Sequence, residues 1–282
     1  MITFRTMRSD DIPAGLSLCR SANWNQLARD WELFLTLSPG GCRVAIDDSG
    51  NVVGTVTTVR YDDHFSWIGM VLVEPTKRKQ GIGLKLLKES LRILQHENTV
   101  KLDATPAGRE VYLKLDFEDE YYLSRMQCPT VAVKVESSMG VRQMNEEDLP
   151  GIFAFDQKVF GANRNHLLEW MFMGAPRLSF VAERGHKIVG YCFGRFGYNH
   201  THIGPVVARE EPIAKELVSA VLANCAGNSV IIDAPHRSRS WLLWLEQSGF
   251  TEQRPFMRMF LGDNQWSGKP EQQFAILGPE FG

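Results

Sequence analysis

The chain is written twice, and that repetition limits its fold more than any other feature of its 282 residues. Arg5, Met7 and Asp11-Ile12-Pro13 are echoed by Arg142, Met144 and Asp148-Leu149-Pro150. Val52-Val53-Gly54 returns as Ile188-Val189-Gly190, each after a turn, Asp48-Ser49-Gly50 in one copy and Arg184-Gly185-His186 in the other. Ile68-Gly69 matches Ile203-Gly204, and Leu102-Asp103-Ala104 matches Ile232-Asp233-Ala234. The spacing from Phe117 to Arg125-Met126 reappears from Phe250 to Arg258-Met259. A repeat this long means a duplicated domain rather than a solenoid, whose units run roughly 20–50 residues. The small-residue stretch Ser137-Ser138-Met139-Gly140 marks the expected join, giving domains at 1–137 and 138–282.

Each copy reads in the order helix, strand hairpin, long strand, helix, strand, helix, strand. That order predicts an α/β (α+β) fold of two tandem domains, each a mixed, mostly antiparallel sheet flanked by helices. The length lets both domains bury a core. Lys and Arg number 31 against 33 Asp and Glu, a net charge of −2, so neither a nucleic-acid nor an anionic-membrane partner is expected. No apolar stretch approaches the roughly 20 residues of a membrane span. The start, Met1-Ile2-Thr3-Phe4-Arg5, lacks the plan of a signal peptide, and a cytoplasmic location is expected. The 5 cysteines are scattered singly and read as reduced thiols. His200 and His202 share a strand face, but no third ligand stands at a recognisable spacing, so no metal site is expected.

The stretch from Trp67 to Leu87 carries the chemistry: an apolar run, a basic turn with glycines, then an amphipathic helix. Leu84, Leu87, Leu91 and Leu94 recur at helical spacing, which predicts a helix opening near Gly81. The unpaired N–H groups of its first turn and the positive end of its dipole suit a pyrophosphate. Gly81 and Gly83 let an anion approach those amides, and Arg78, Lys79 and Lys85 add positive charge. No Lys-Ser/Thr pair follows the glycines, as a nucleoside-triphosphate loop requires, and the third glycine of a dinucleotide fingerprint is missing.

Val73, Pro75, Arg78, Gly81 and Gly83 spell Val-x-Pro-x-x-Arg-x-x-Gly-x-Gly, which resembles the acetyl-CoA signature of the GNAT superfamily of N-acyltransferases. The resemblance implies acetyl-CoA as the acetyl-donor cosubstrate. The backbone of Val71 and Val73 would pair with its pantetheine arm, and the amides of Lys79, Gln80, Gly81, Ile82, Gly83 and Leu84 would hold its pyrophosphate beside Arg78. A second segment, Asp103 to Phe117, resembles the family's strand end followed by a helix with Tyr-x-Lys-Leu-Gly-Phe, Asp116 here replacing the glycine. By that resemblance Tyr112 gives a proton to the departing thiolate. Some relatives carry a glutamate early on the strand before the loop, but Trp67-Ile68-Gly69-Met70 offers none. Asp62, Asp63 and His64 before the strand, Asp103 at the end of the next, and Asp233 and His236 in the second copy are the candidate bases, and Asp103 is favoured because strand ends in open sheets face the ligand crevice. A backbone N–H at Val71 or its neighbour would meet the charge of the tetrahedral intermediate.

The second copy runs Pro205 to Pro212 with no glycine turn and with Glu210 and Glu211 where phosphates would lie. The counterpart of Tyr112, five residues before Phe250, is Leu245. That half is expected not to bind CoA, and chemistry is expected once per chain. The expected activity is N-acetyl transfer to a primary amine of a small molecule or peptide, by direct attack on the thioester. A CoA-sensing module without turnover is the alternative. Trp24, Trp31, Phe34, Tyr61, Phe65 and Trp67 crowd the first copy's approach to substrate, and a cleft between the domains is an expected substrate site. The ending Ile276 to Gly282 resembles that of tandem members with a degenerate second domain, and is expected to fold back on the body.

Overall fold

In the computed structural model, which describes residues 1–62, 64–132 and 140–282, the two copies share one sheet. The expected join at 137/138 and Asp63 lie outside the described residues. The first copy supplies strands β1 (Thr3–Thr6), β2 (Arg43–Ile46), β3 (Val52–Tyr61), β4 (Phe65–Val73), β5 (Thr99–Ala104) and β6 (Glu118–Cys128). The second supplies β7 (Val141–Gln143), β8 (Phe180–Arg184), β9 (Lys187–Arg195), β10 (Thr201–Ala208), β11 (Val230–Pro235), β12 (Thr251–Gly262) and β13 (Gln273–Ala275). Helices α1 (Ile12–Ser21), α2 (Ala28–Leu37), α3 (Ile82–Ile93) and α4 (Pro106–Tyr112) belong to the first copy. Helices α5 (Leu149–Phe160), α6 (Asn165–Gly174), α7 (Glu211–Ala223) and α8 (Arg239–Gln247) belong to the second. The α/β fold is thus the expected one, mixed and mostly antiparallel.

The duplicate pattern is visible in local contacts. Asp11 and Asp148 each accept the backbone N–H three residues earlier, from Arg8 and Asn145 at 2.8 Å, and each pairs with the echoed arginine, Arg5 or Arg142. Each carboxylate reaches back to the N–H that opens the single 3-10 turn before α1 or α5, where the helix dipole favours negative charge.

The strand order is β1-β2-β3-β4-β5-β12-β6-β11-β10-β9-β8-β7, so the last long strands of the two copies have changed places. β12 pairs with β5 of the first copy, β6 with β11 of the second, and β6 and β12 pair with each other between them. The echoed arginines travel with their strands. Arg258 donates Nε and Nη2 to the two oxygens of Asp103, both at 2.9 Å, while Arg125 does the same to Asp233 at 2.8 Å. All four side chains are buried, and removing one member of such a pair costs about 3–5 kcal/mol because the other charge stays in the interior.

Helix α3 buries Ile82, Leu86, Ser90 and the following Leu94, spaced by fours, with Leu87 beside them. Leu84, expected on that stripe, is 37% exposed. The stripe drawn through leucines alone was rotated from the true face because it passed over Ile82 and Ser90.

The chain end does fold back. Tyr61 Oη donates to the Phe281 carbonyl at 2.6 Å, Trp67 Nε1 to the Pro279 carbonyl at 2.9 Å, and the Phe281 ring stacks on Phe34 at 4.6 Å. Gly69 makes room for this strap: a Cβ there would stand 2.8 Å from the Glu280 carbonyl oxygen.

Candidate active site

Strands β4 and β5 run parallel but pair only at Ser66–Val100 and Trp67–Lys101, after which they part. Near the parting, β4 carries a bulge against β3 at Met70, whose φ is 52°, and Thr55 Oγ1 donates to the Met70 carbonyl at 2.9 Å. Bulges redirect backbone groups and end pairing. From Ile68 to Val73 the β5-facing edge of β4 therefore has no strand partner among the described residues. A cleft open to solvent fills the wedge. Its walls are Ile68 to Val71 of β4, Leu102 and Asp103 of β5, Thr105 and Tyr112, Arg125 of β6, Arg254 and Phe256 of β12, Trp24 and Gln26, and Pro279 and Glu280 of the strap.

The second copy parts its equivalent strands in the same way, β10 and β11 pairing from Thr201–Val230 to Ile203–Ile232. There β13 occupies the opening. It pairs with β10 at Val206–Ala275 and Val207–Gln273, and Ile276 N–H donates to the Asp233 carbonyl at 3.0 Å. Glu211 opens α7 and accepts from the hydroxyls of Ser238 and Ser240, so a carboxylate stands at that helix start. Leu245, the counterpart of Tyr112, is fully buried.

Tyr112 ends α4, a helix capped by Thr105, whose Oγ1 accepts the Gly108 N–H at 3.2 Å. Gly108 lets the phenol ring lie against the helix, since a Cβ there would stand 3.0 Å from Tyr112 Cε2. The Tyr112 hydroxyl makes no hydrogen bond among the described residues, and the residue borders the cleft. Burial pushes its pKa up to about 12, so the phenol keeps its proton throughout the neutral range.

Asp103 borders the same cleft, and burial pushes it above the usual carboxylate range although Arg258 opposes the shift. Glu280 faces it from the strap. Burial disfavours its charge, but Arg195, which also bonds Asp30 at 2.6 Å, and Gln26 hold it below the usual range. The cleft thus brings together Val71, Asp103 and Tyr112 among the residues read from the sequence. Val73 ends β4 just beyond.

Arg78 to Leu84 do not line the cleft but follow β4 into the start of α3. Gly81 has φ 77° and Lys79 φ 63°, so the turn itself requires a glycine at 81. Gly83 is different: a Cβ there would meet only Val73 Cγ2, at an ordinary 3.5 Å. Arg78 Nε donates to the Val73 carbonyl at 3.1 Å, tying the loop to the strand end.

Behind the cleft His202 lies between Arg195, 3.1 Å from Nδ1, and Asp233, 2.9 Å from Nε2. Burial lowers its pKa from the ordinary value near 6.5, Asp233 opposing and Arg195 and Arg125 assisting. The unfolded chain takes up this proton as pH falls through about 6.5 while the folded chain refuses it, so stability present above that pH declines below it. The melting temperature should fall between about pH 8 and pH 5, and His202→Gln should flatten the slope; an unchanged slope would mean that His202 protonates normally in the fold.

Sequence reading missed Gln26, Arg125, Arg254, Phe256 and Glu280 as cleft residues. Most of them arrive from the exchanged strands and the strap.

Comparison with known proteins gives a consistent result. Residues 9–117 match the Acetyltransferase (GNAT) family and residues 152–275 an Acetyltransferase (GNAT) domain. Holothin acyltransferase of Pseudoalteromonas sp. (strain SANK 73390) is 28% identical over 96% of this chain and 93% of its own. A putative acetyltransferase from Pyrococcus horikoshii superposes with TM-score 0.83 at 24% identity, over 100% of this chain and 96% of its own. A tandem GNAT protein from the clavulanic acid biosynthesis pathway superposes with TM-score 0.66 at 14% identity, over 93% and 98%. The two structural likenesses are likenesses of fold.

Proposed function

Because the chain belongs to the GNAT superfamily of N-acyltransferases, with one such domain in each copy, we propose that it acetylates a primary amine from acetyl-CoA in the open wedge of the first copy. The observation that carries this reading is the contrast between the two wedges. β10 and β11 part and are filled by β13, whereas β4 and β5 part around empty space bordered by Tyr112. A pantetheine arm would take in the first copy the place that β13 takes in the second, bonding the backbone of Val71 and the N–H of Val73, whose carbonyl is taken by Arg78.

The pyrophosphate would lie on the amides from Lys79 to Leu84. Left-handed residues among right-handed ones make runs of amides converge on an anion, and the helix dipole adds to the attraction. Gly83 needs no missing side chain for the fold's own sake, which supports an approach from outside.

In the transfer the amine nitrogen attacks the thioester carbon, its proton passes to Asp103, the C–S bond breaks, and Tyr112 supplies a hydrogen bond and then a proton to sulfur. Asp103 suits the base role better than Glu280, since burial raises its proton affinity whereas Arg195 and Gln26 lower that of Glu280. A backbone N–H near the Met70 bulge would meet the oxyanion.

The test is a thermal shift with acetyl-CoA followed by CoA release against an amine panel. At about 100 times Kd, bound acetyl-CoA should add about 2.7 kcal/mol of stability. Gly83→Glu should abolish the shift while leaving the unliganded melting temperature within a few degrees. A shift that survives Gly83→Glu would remove the loop from the cofactor site.

A further inference from the structure

Among the described residues, Arg254 is the cleft cation with no ion-pair partner of its own. Arg258 is held by Asp103, Arg125 by Asp233, and Arg195 by Asp30 and Glu280. The Arg254 side chain has no hydrogen bond or ion pair among the described residues; its nearest aromatic face is Phe256, at 5.9 Å. It also stands directly opposite Arg125 in the β12–β6 pairing. A register shift between Glu252 and Arg254 sets this pairing, and such bulges re-aim side chains. Like charges facing each other across two strands are destabilising. Here one is buried and the other is partly buried, so solvent relieves the repulsion poorly. Burial, and then Arg125, lower the pKa of Arg254, while Asp233, the partner of Arg125, opposes them.

An anion placed between the two guanidinium groups would remove that repulsion, and the cleft is where an anionic group of a ligand would reach them. We infer that the acceptor is a small amine that also carries a carboxylate, an amino-acid-type molecule whose carboxylate bonds Arg254 and the free edge of Arg125 while its amine faces the thioester. The inference rests on the acyl-transfer reading of the cleft. The carboxylate would take the bidentate geometry that a planar guanidinium favours. Apolar Phe256 and Trp24 would flank the ligand's carbon skeleton.

The experiment uses the full chain with saturating acetyl-CoA and matched pairs: amino acids and the same molecules lacking the carboxylate, as amines or carboxamides. CoA release gives kcat/KM for each, and thermal shift in the presence of CoA gives binding. The wild type should prefer the carboxylate member by at least about tenfold, the usual effect of one charge-assisted pair. Arg254→Ala should bring the ratio near one, chiefly through KM, and should lose the carboxylate-dependent thermal shift. Equal use of both members by the wild type, or an unchanged ratio in Arg254→Ala, would overturn the anchor while leaving acyl transfer intact. A carboxylate-dependent shift without CoA release from any amine would uphold the anchor and sink the transfer reading. An Arg254→Ala loss identical for both members would reassign Arg254 to the thioester oxygen and also overturn the proposal.

Discussion

Tyr112→Phe is expected to lower kcat for acetyl transfer by about 10²-fold, with the KM for acetyl-CoA changed by less than about twofold. The ring stays, so its packing against Gly108 and Phe117 is kept, and only the hydroxyl is lost. General acid catalysis is worth about 10²–10⁴-fold, and the lower end applies here for a physical reason. A thiol ordinarily has a pKa near 8.5, whereas burial pushes the Tyr112 phenol up to about 12. Full proton transfer from phenol to thiolate is therefore uphill, and the main contribution is a hydrogen bond to charge growing on sulfur in a dry cleft. The same ordering predicts that the wild-type rate shows no loss of a deprotonated tyrosine between about pH 7 and pH 10. Turnover by Tyr112→Phe within about twofold of wild type on every accepted amine would exclude the assignment.

Much of the candidate site is legible because the residues proposed for it sit in local order. The glycine turn, the proline before it and the helix after it are contiguous, so one reading of Val73 to Leu87 places all three. Tyr112 was legible through its distance from Phe117. The partners of Asp103 were not. Arg125 and Arg258 occupy the same place in their copies, so the sequence gives Asp103 equal claim to either, and only the exchange of strands decides for Arg258. The filling of the second wedge was hidden for another reason: β13 has only three residues, too few for a period to register. Arg254 reaches Arg125 through a register shift, and the residue at which a strand is bulged is defined by its partner strand, which the sequence of β12 alone does not name.

The exchange also predicts that the two halves cannot be separated. Residues 1–137 and 138–282, made as separate pieces, are each expected to lack a cooperative unfolding transition, and to recover one only when combined. The first piece alone loses β12 from the side of β5, and with it Met257 and Met259 from the core that holds Val100, Leu102 and Phe117. It loses Phe281 from its stack on Phe34 and leaves Asp103 without Arg258. An unpaired buried carboxylate costs about 3–5 kcal/mol, and each lost core side chain about 2–5, against a total stability of about 5–15 for a typical protein. The first piece has one escape, which is to return its own β6 to β5 and set Arg125 opposite Asp103. By the echoed spacing that register puts Ser124 where Met257 fills the core, and the strap is still absent. The repair therefore mends the ion pair and, with Met126 at the place of Met259, only part of the core. A sharp melting transition in either isolated piece would show that the exchanged strands are interchangeable after all, and that the fold needs the duplication but not the exchange.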